Sequence, residues 1–386
     1  MTPSVVLVTG VGRFLGARVA AALVREPGVG RVIGVDVGPP LLDGTTRGEF
    51  EGSVEFVQAD LGHPQVARLV TEAGVDTIVH ASVGVDPAPG DRSQVRQNNI
   101  VGTMRLLAAC QRSDRLRRLV VRSTTAVYGT TSCDPALFVE EDTETELPPR
   151  GGPARDAVDV ETHVRAFARH RPDVSVVLFR LANLVGPRVR TPLARYLRPP
   201  VVPTVLGYDP RLQFLHEQDA VEVFRLAAIG EGMSDAGSAD FADLAGPTGA
   251  ATPSGFRVEQ RHRTINVAGS GVLLLSQMIR RAGRVALPVP DLAGPAGAAL
   301  AGLVDLVGLH PARAGLLTLG GIVDTTRLRR EFGYQPHHTS AQAFDEFVRG
   351  QLPGQAPGMV NRAAVSKLER AARRLLVGDL ERPSGG

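Results

Sequence analysis

The stretch VTGVGRFLG, residues 8–16, decides how the rest of the chain is read. It follows the apolar run SVVL and precedes ARVAAALV, so a strand ends and a helix begins around glycines at 10, 12 and 16. A glycine-rich turn in that setting suits a phosphate for two reasons. Backbone comes close to a ligand where no Cβ stands, and the unpaired N–H groups of a helix start favour an anion.

The same alternation continues outward from this turn. RVIGVDV reads as a second strand ending near Asp36, VEFVQADL as a third ending at Asp60, QVARLVTEAG as a helix and DTIVHAS as a strand. NNIVGTMRLLAACQRS, LRRLVVRSTTAVYG, DAVDVETHVRAFARH and VSVVLFRLANLVGP then predict helix, strand, helix and strand. Continuous apolar strands interleaved with helices predict an α/β fold, a Rossmann-like doubly wound parallel sheet covered on both faces. Ligands of such sheets bind beyond the carboxyl ends of the strands.

Residues 1–182 therefore form the expected dinucleotide-binding domain. After 183 the alternation loosens and prolines become frequent, which marks a smaller substrate-binding region over 183–350, some of whose segments can return to the first domain. Within it, 231–262 lacks periodicity and is rich in Gly, Ala, Ser and Asp, the pattern of a mobile insertion. The stretch DLAGPAGAALAGLVDLVGL, interrupted by Pro295, reads as a buried helix of small residues. Residues 351–386 form a basic tail in which Val365, Leu368, Ala372 and Leu375 share one helical face and Lys367, Arg370, Arg373 and Arg374 lie mostly opposite. A solvated helix packing on its own domain is the simple reading; peripheral contact with an acidic membrane surface is the sharper one.

Composition narrows the function classes. The 386 residues are 43% hydrophobic and 22% charged, which is globular, and the net charge of +3 comes from arginine, since Lys367 is the sole lysine. With no aromatic-interleaved basic cluster and no zinc spacing, no nucleic-acid partner is expected. Cys110 and Cys133 fit neither a metal nor a disulfide framework, so a reduced compartment and no metal are expected. The first strand begins within a few residues, and no apolar run reaches about 18 residues, which makes the expected location cytoplasmic.

The cofactor reading rests on Gly10, Gly12, Arg13, Phe14, Leu15 and Gly16 around the phosphates and on Asp36 at the tip of the second strand. A carboxylate there accepts hydrogen bonds from both adenine-ribose hydroxyls and repels a 2'-phosphate, favouring NAD over NADP. Arg13 pulls the other way, because a guanidinium at that edge can pair with a 2'-phosphate or with Asp36 itself.

Taken in order, these motifs resemble the extended short-chain dehydrogenase/reductase family, also called the NAD-dependent epimerase/dehydratase family, from about residue 4 to 350. VTGVGRFLG resembles its TGxxGxxG loop, with Arg13 at the middle glycine and Gly12 one place early. Asp60, with Leu61 after it, resembles the acid that contacts adenine, and HAS, with Ala81 and Ser82, the segment lining the dinucleotide. NNIVGT resembles NxxGT, with Asn99 as its structural asparagine. RSTTAVYG places the catalytic Ser/Thr at Thr124, and RLANLVGP resembles RxxNxxGP, whose asparagine, Asn183, meets a nucleotide sugar. FLHEQDA and DTTRLRREFGYQP resemble the later FxHVxD and DxxKxxxxLGxxP patterns. RFLG and RLQFLHEQDA are similar to those of UDP-glucose 4-epimerase-like members. The resemblance implies NAD, a nucleoside-diphosphate sugar and a homodimer through the helices at 98–111 and 156–170, although their apolar stripes equally suit an intramolecular core.

One part of the pattern is missing. The family places a tyrosine four residues before a lysine, the tyrosine exchanging a proton with the substrate and the lysine lowering its pKa. Alignment puts Pro153 and Ala157 there, and none of Tyr128, Tyr196, Tyr208 and Tyr334 has a lysine four residues on. Arg155 for ribose oxygens and Asp156 or Asp159 as base are the substitutes at hand, with Asp156 the candidate beside Thr124. The substrate-diphosphate arginine aligns with Leu212, with Arg211 one place early; Arg188, Arg190 and Arg195 are further replacements at hand. Two readings follow: an NAD-dependent epimerase or dehydratase with non-standard catalytic residues, or a catalytically silent binder of NAD or a nucleotide sugar that acts as a sensor or scaffold.

Overall fold

A computed structural model describes residues 4–41, 48, 50, 52–82, 92–129, 140–142, 149, 152–231, 262–289 and 321–352. Nearly all of the 231–262 segment, the small-residue stretch near 291–309 and the tail beyond 352 lie outside the described residues, as do Cys133 and Lys367.

In chain order the strands are β1 (Val5–Thr9), β2 (Arg31–Asp36), β3 (Val54–Gln58), β4 (Thr77–His80), β5 (Arg118–Thr124), β6 (Ser175–Leu181), β7 (Asn183–Val185), β8 (Val201–Val205), β9 (Arg211–Leu212), β10 (Phe214–His216), β11 (His262–Val267), β12 (Leu273–Leu274) and β13 (Val285–Val289). The helices used below are α1 (Phe14–Val24), α2 (Pro64–Glu72), α3 (Arg92–Gln111), α4 (Gly152–His170), α5 (Pro192–Tyr196) and α6 (Glu217–Ile229).

Seven strands form one sheet in the order β11-β6-β5-β4-β1-β2-β3, each neighbouring pair parallel. The apolar runs are continuous because both faces are covered. Val6 and Val8 of β1 pack with Leu15, Val19 and Leu23 of α1 and with Val223 and Phe224 of α6. Leu7, between them, faces the opposite side, where Leu106 and Leu107 of α3 and Val160, Val164 and Phe167 of α4 complete a second cluster. Each such side chain, fully buried, contributes about 1.5–3 kcal/mol. From β1 the chain winds to β2 and β3 on one side, then resumes at β4 on the other. This reversal opens a crevice at the carboxyl ends of β1 and β4, where doubly wound sheets hold their ligands.

After residue 183 the chain divides its loyalties. β7 pairs with β10, β8 with β13 and β9 with β12, and a third cluster including Tyr196, Phe214, Met278, Phe344 and Phe347 lies among them. α6 instead packs on the main sheet beside α1, and β11 becomes the edge strand next to β6. Among the described residues no helix is long and apolar enough to cross a membrane.

Candidate functional site

The crevice is built on the β1–α1 turn. Gly10 has φ +81°, and a Cβ there would lie 2.9 Å from Ser82 Cα and 3.2 Å from the Ala81 carbonyl carbon, so the turn sits directly against the end of β4. A Cβ on Gly16 would fall 2.3 Å from the Gly10 carbonyl oxygen, so only glycine lets α1 begin this close to the strand it follows. Phe14 and Leu15 form the first turn of α1, which has neither an acidic residue nor a side-chain cap, and Arg13 is the residue preceding it. The amides at the mouth of α1 are therefore left for an anion.

Asp36 ends β2 beside this turn. Its Oδ2 accepts the Gly12 amide at 2.9 Å and its Oδ1 accepts the Val37 amide at 2.7 Å. A Cβ on Gly12 would lie 3.0 Å from that carboxyl, so the early glycine is the space Asp36 occupies. Burial lowers the Arg13 pKa, with the nearby Asp36 charge opposing the shift. Of the two alternatives open from the sequence for Arg13, the Asp36 charge therefore acts on it without a direct ion pair between the described side chains.

Asp60 follows β3, and its Oδ1 accepts the Gly62 amide at 2.6 Å. Leu61 backs onto α3, where a Cβ on Gly102 would meet it at 3.0 Å. Asn99 is buried in α3, and its carbonyl accepts the Thr103 hydroxyl. That bond fixes a chain of polar groups under the crevice. Because the Thr103 proton is committed to Asn99, His80 Nε2 donates to Thr103 Oγ1 at 2.8 Å, and Thr9 donates to His80 Nδ1 at 2.8 Å. The relay ties β1, β4 and α3 together around a neutral imidazole, whose pKa burial lowers to about 4.

Thr124 closes β5 and accepts the Ala126 amide at 3.2 Å, which leaves its hydroxyl proton for an outside acceptor. The start of α4 packs against the 125–128 turn, and Ala157 belongs to the same buried cluster as Val127 and Tyr128. Asp156 sits about 100° around the helix from Ala157. It is buried and lies 3.6 Å from Arg96 Nε of α3, so its carboxyl is held in the α3–α4 seam. Asp159 and Arg155 pair with each other at 3.1 Å near the surface. The structure thus brings Thr124 to the crevice and commits Asp156 to a helix–helix ion pair.

Tyr128 is also engaged. Its hydroxyl donates to Asn266 Oδ1 at 2.7 Å and accepts from Arg180 at 2.8 Å. Arg180 in turn makes a two-pronged pair with buried Glu161, which also accepts the Ser123 hydroxyl at 2.6 Å. Burial pushes the Tyr128 pKa up, against the pull of Arg180. These groups brace β5, β6, β11 and α4 beneath the site.

On the substrate side, Asn183 lies just beyond β6, the strand whose Leu181 stands beside Thr124, and its amide donates to the Gln213 carbonyl at 3.4 Å. Arg190 and Arg211 are exposed, and Leu212 is buried in the third cluster, so Arg211 points away from the core that its neighbour fills. His216, Asp219 and His338 also gather, but Asp219 already accepts from Tyr334 and from the His337 and His338 amides, and its Oδ2 lies 2.8 Å from His338 Nδ1. The cluster is a joint between α6 and the 337–339 turn.

One residue escapes sequence reasoning. Arg122, on β5 two residues before Thr124, points to the α1 side of the sheet, and its protonated form is disfavoured by burial and by Arg13. The signal was present, a charge inside the otherwise apolar LVVRST strand, and the abundance of arginine masked it.

The model of the NAD dependent epimerase/dehydratase family matches residues 6–231. An uncharacterized protein of Mycobacterium tuberculosis is 40% identical over 350 residues, covering 90% of this chain and 84% of that one. Two solved structures share the fold: UDP-glucuronic acid 4-epimerase from Bacillus cereus in complex with UDP-glucuronic acid and NAD, and dTDP-glucose 4,6-dehydratase from Bacillus anthracis in complex with NAD. The first has a TM-score of 0.60 at 17% identity, covering 90% of this chain and 99% of that chain. The second has a TM-score of 0.61 at 16% identity, covering 91% and 97%. With its glycine turn, its carboxylate at the tip of β2 and its seven-stranded parallel sheet, the chain belongs to the NAD-dependent epimerase/dehydratase family.

Proposed function

We propose that the chain binds NAD at the β1–α1 turn and a nucleoside-diphosphate sugar beyond β5 and β6, and that it carries out epimerase- or dehydratase-type chemistry with non-standard catalytic residues. The observation that carries the reading is the Asp36–Gly12 bond beside an uncapped helix start, a carboxylate and an anion site one loop apart. Gly10, Gly12, Arg13, Phe14, Leu15 and Gly16 surround the diphosphate. Asp36 takes the adenine ribose, Asp60 and Leu61 flank the adenine, and Ala81, Ser82 and Asn99 shape the far wall. A nicotinamide dinucleotide bound there supplies a reversible hydride acceptor. Thr124 donates its hydroxyl proton to a substrate oxygen and so holds the sugar in register, while Asn183, Arg190 and Arg211 take the nucleotide end. Asp36 favours NAD over NADP. The family's helix pair α3 and α4 is the proposed dimer surface, and the proposed location is the cytoplasm, with the basic tail available to an acidic membrane.

A second reading has its own support. Asp156 is occupied by Arg96, and Ala157 presents only a methyl toward the 125–128 turn, which suits a silent binder of NAD or a nucleotide sugar. Incubating purified protein and NAD with a panel of UDP- and dTDP-sugars separates the two. An altered sugar or absorbance from reduced nicotinamide, lost in Thr124→Ala, supports the enzyme. Bound NAD with neither signal leaves the silent binder.

A further inference from the structure

Resting on the dinucleotide reading above, we infer that Arg122 and Arg13 form a two-guanidinium clamp on the diphosphate of the bound nucleotide, reaching it from β5 and from the glycine turn.

The placement follows from strand register. Thr9 pairs with His80 and His80 with Val121, so these residues form one row across β1, β4 and β5. The next row toward the carboxyl ends is Gly10, Ala81 and Arg122. With strands about 4.8 Å apart, Arg122 stands roughly 10 Å across the crevice floor from the glycine turn. Its side chain points to the correct face: Val120, two residues earlier, packs in the cluster that contains Val11, Leu15 and Val19. Arg122 therefore projects toward α1, whose mouth carries the phosphate-binding amides.

The electrostatics then require a partner. The Arg122 pKa is pushed down to about 10, first by burial and next by the like charge of Arg13. Among the described residues neither guanidinium has a hydrogen bond or ion pair to a carboxylate, and the first turn of α1 contributes no acid. Two half-buried guanidiniums whose like charges act on one another are unfavourable until an anion offsets them. Asp36, on the opposite side of β1 and bonded to the Gly12 amide, offsets the Arg13 charge in part but is not among the groups that act on Arg122. The crevice is thus polarised, with Asp36 toward β2, Arg122 toward β5 and Arg13 on the turn between them, which matches a ligand with ribose hydroxyls at one end and a doubly charged diphosphate at its centre. Arginine suits the task because its planar fork binds phosphate oxygens in pairs. Arg13 occupies the family's middle-glycine position, and both guanidiniums carry positive charge to the crevice.

The test is titration calorimetry of the full chain and of Arg122→Gln and Arg122→Lys with ADP-ribose, adenosine and UDP, together with thermal melting of the unliganded proteins. The clamp predicts ADP-ribose binding at least 10-fold weaker in Arg122→Gln and partly restored in Arg122→Lys. Adenosine and UDP affinities stay unchanged, and the unliganded Arg122→Gln protein melts higher than wild type because an uncompensated charge is gone. Equal ADP-ribose affinity in wild type and Arg122→Gln overturns the clamp while leaving the dinucleotide reading intact. A loss confined to UDP assigns the pair to the substrate diphosphate and also overturns it. Wild-type protein that binds neither ADP-ribose nor NAD removes the underlying reading as well. Should Arg122→Gln fail to fold, Arg122 is a structural cation, and the clamp falls unless Arg13→Gln shows the same selective loss for ADP-ribose.

Discussion

Replacing Asp36 with asparagine separates recognition of the adenine ribose from integrity of the glycine turn. In the structure one carboxylate oxygen holds the Gly12 amide at 2.9 Å and the other holds the Val37 amide at 2.7 Å. Asparagine keeps an acceptor for Gly12 and a similar shape, but it lacks the charge. A hydrogen bond to a charged group contributes about 1.5–3 kcal/mol, and tenfold in affinity corresponds to about 1.4 kcal/mol. Weakening the ribose bonds therefore lowers NAD affinity by roughly 10- to 100-fold. NADP affinity should hold or improve, because the carboxylate no longer repels the 2'-phosphate. Calorimetric titration of both dinucleotides into wild type and Asp36→Asn reads the ratio directly. If the two affinities fall in parallel, the substitution has only loosened the turn, and the ribose contact assigned to Asp36 is refuted.

Other consequences follow from the same geometry. Gly16→Ala sets a methyl 2.3 Å from the Gly10 carbonyl oxygen, so the variant should lose about 1–3 kcal/mol of stability in urea melts and most of its dinucleotide binding; unchanged binding would show that the turn is not the site. His80 is neutral when folded, with a pKa of about 4, so it contributes full stability above pH 6.5, and that contribution is lost as the pH falls toward 4. Linkage makes the loss about 2 kcal/mol between pH 7 and pH 5, and a flat urea midpoint across that range contradicts the buried neutral imidazole. Glu161→Gln strands the Arg180 guanidinium inside the protein and should lower stability by about 3–5 kcal/mol; a loss below 1 kcal/mol would mean that the network is hydrated.

Legibility in the sequence tracked burial on two sides. Residues such as Val6, Leu7 and Val8 meet a core on each face of the sheet, so β1 and β4 appear as largely apolar runs, whereas β3, with exposed Glu55 and Gln58 at the sheet's edge, alternates; the order in which strands and helices appear implies the parallel winding. The glycine turn and Asp36 were legible because backbone clearance and a short, fixed loop demand particular residue types. The region after 183 was less so. β9 and β12 are two residues each, too short to show a period, and β11 reaches the main sheet only through a long excursion. Asp156 looked available because a carboxylate at a helix start carries no mark of its partner, and Arg96 sits 60 residues earlier on another helix. Arg122 was hidden for the complementary reason: in a chain with 43 basic residues, one more inside a strand stands out only when the strand's orientation is known.

The account stands most directly on the claim that the β1–α1 turn holds a dinucleotide. Isothermal titration of NAD into the folded, purified chain, with Gly16→Ala as control, tests it in one experiment. Saturable one-to-one binding to wild type, tighter for NAD than for NADP and lost in the variant, is the predicted result. No measurable heat with either dinucleotide, on protein whose cooperative melt shows that it is folded, would contradict it.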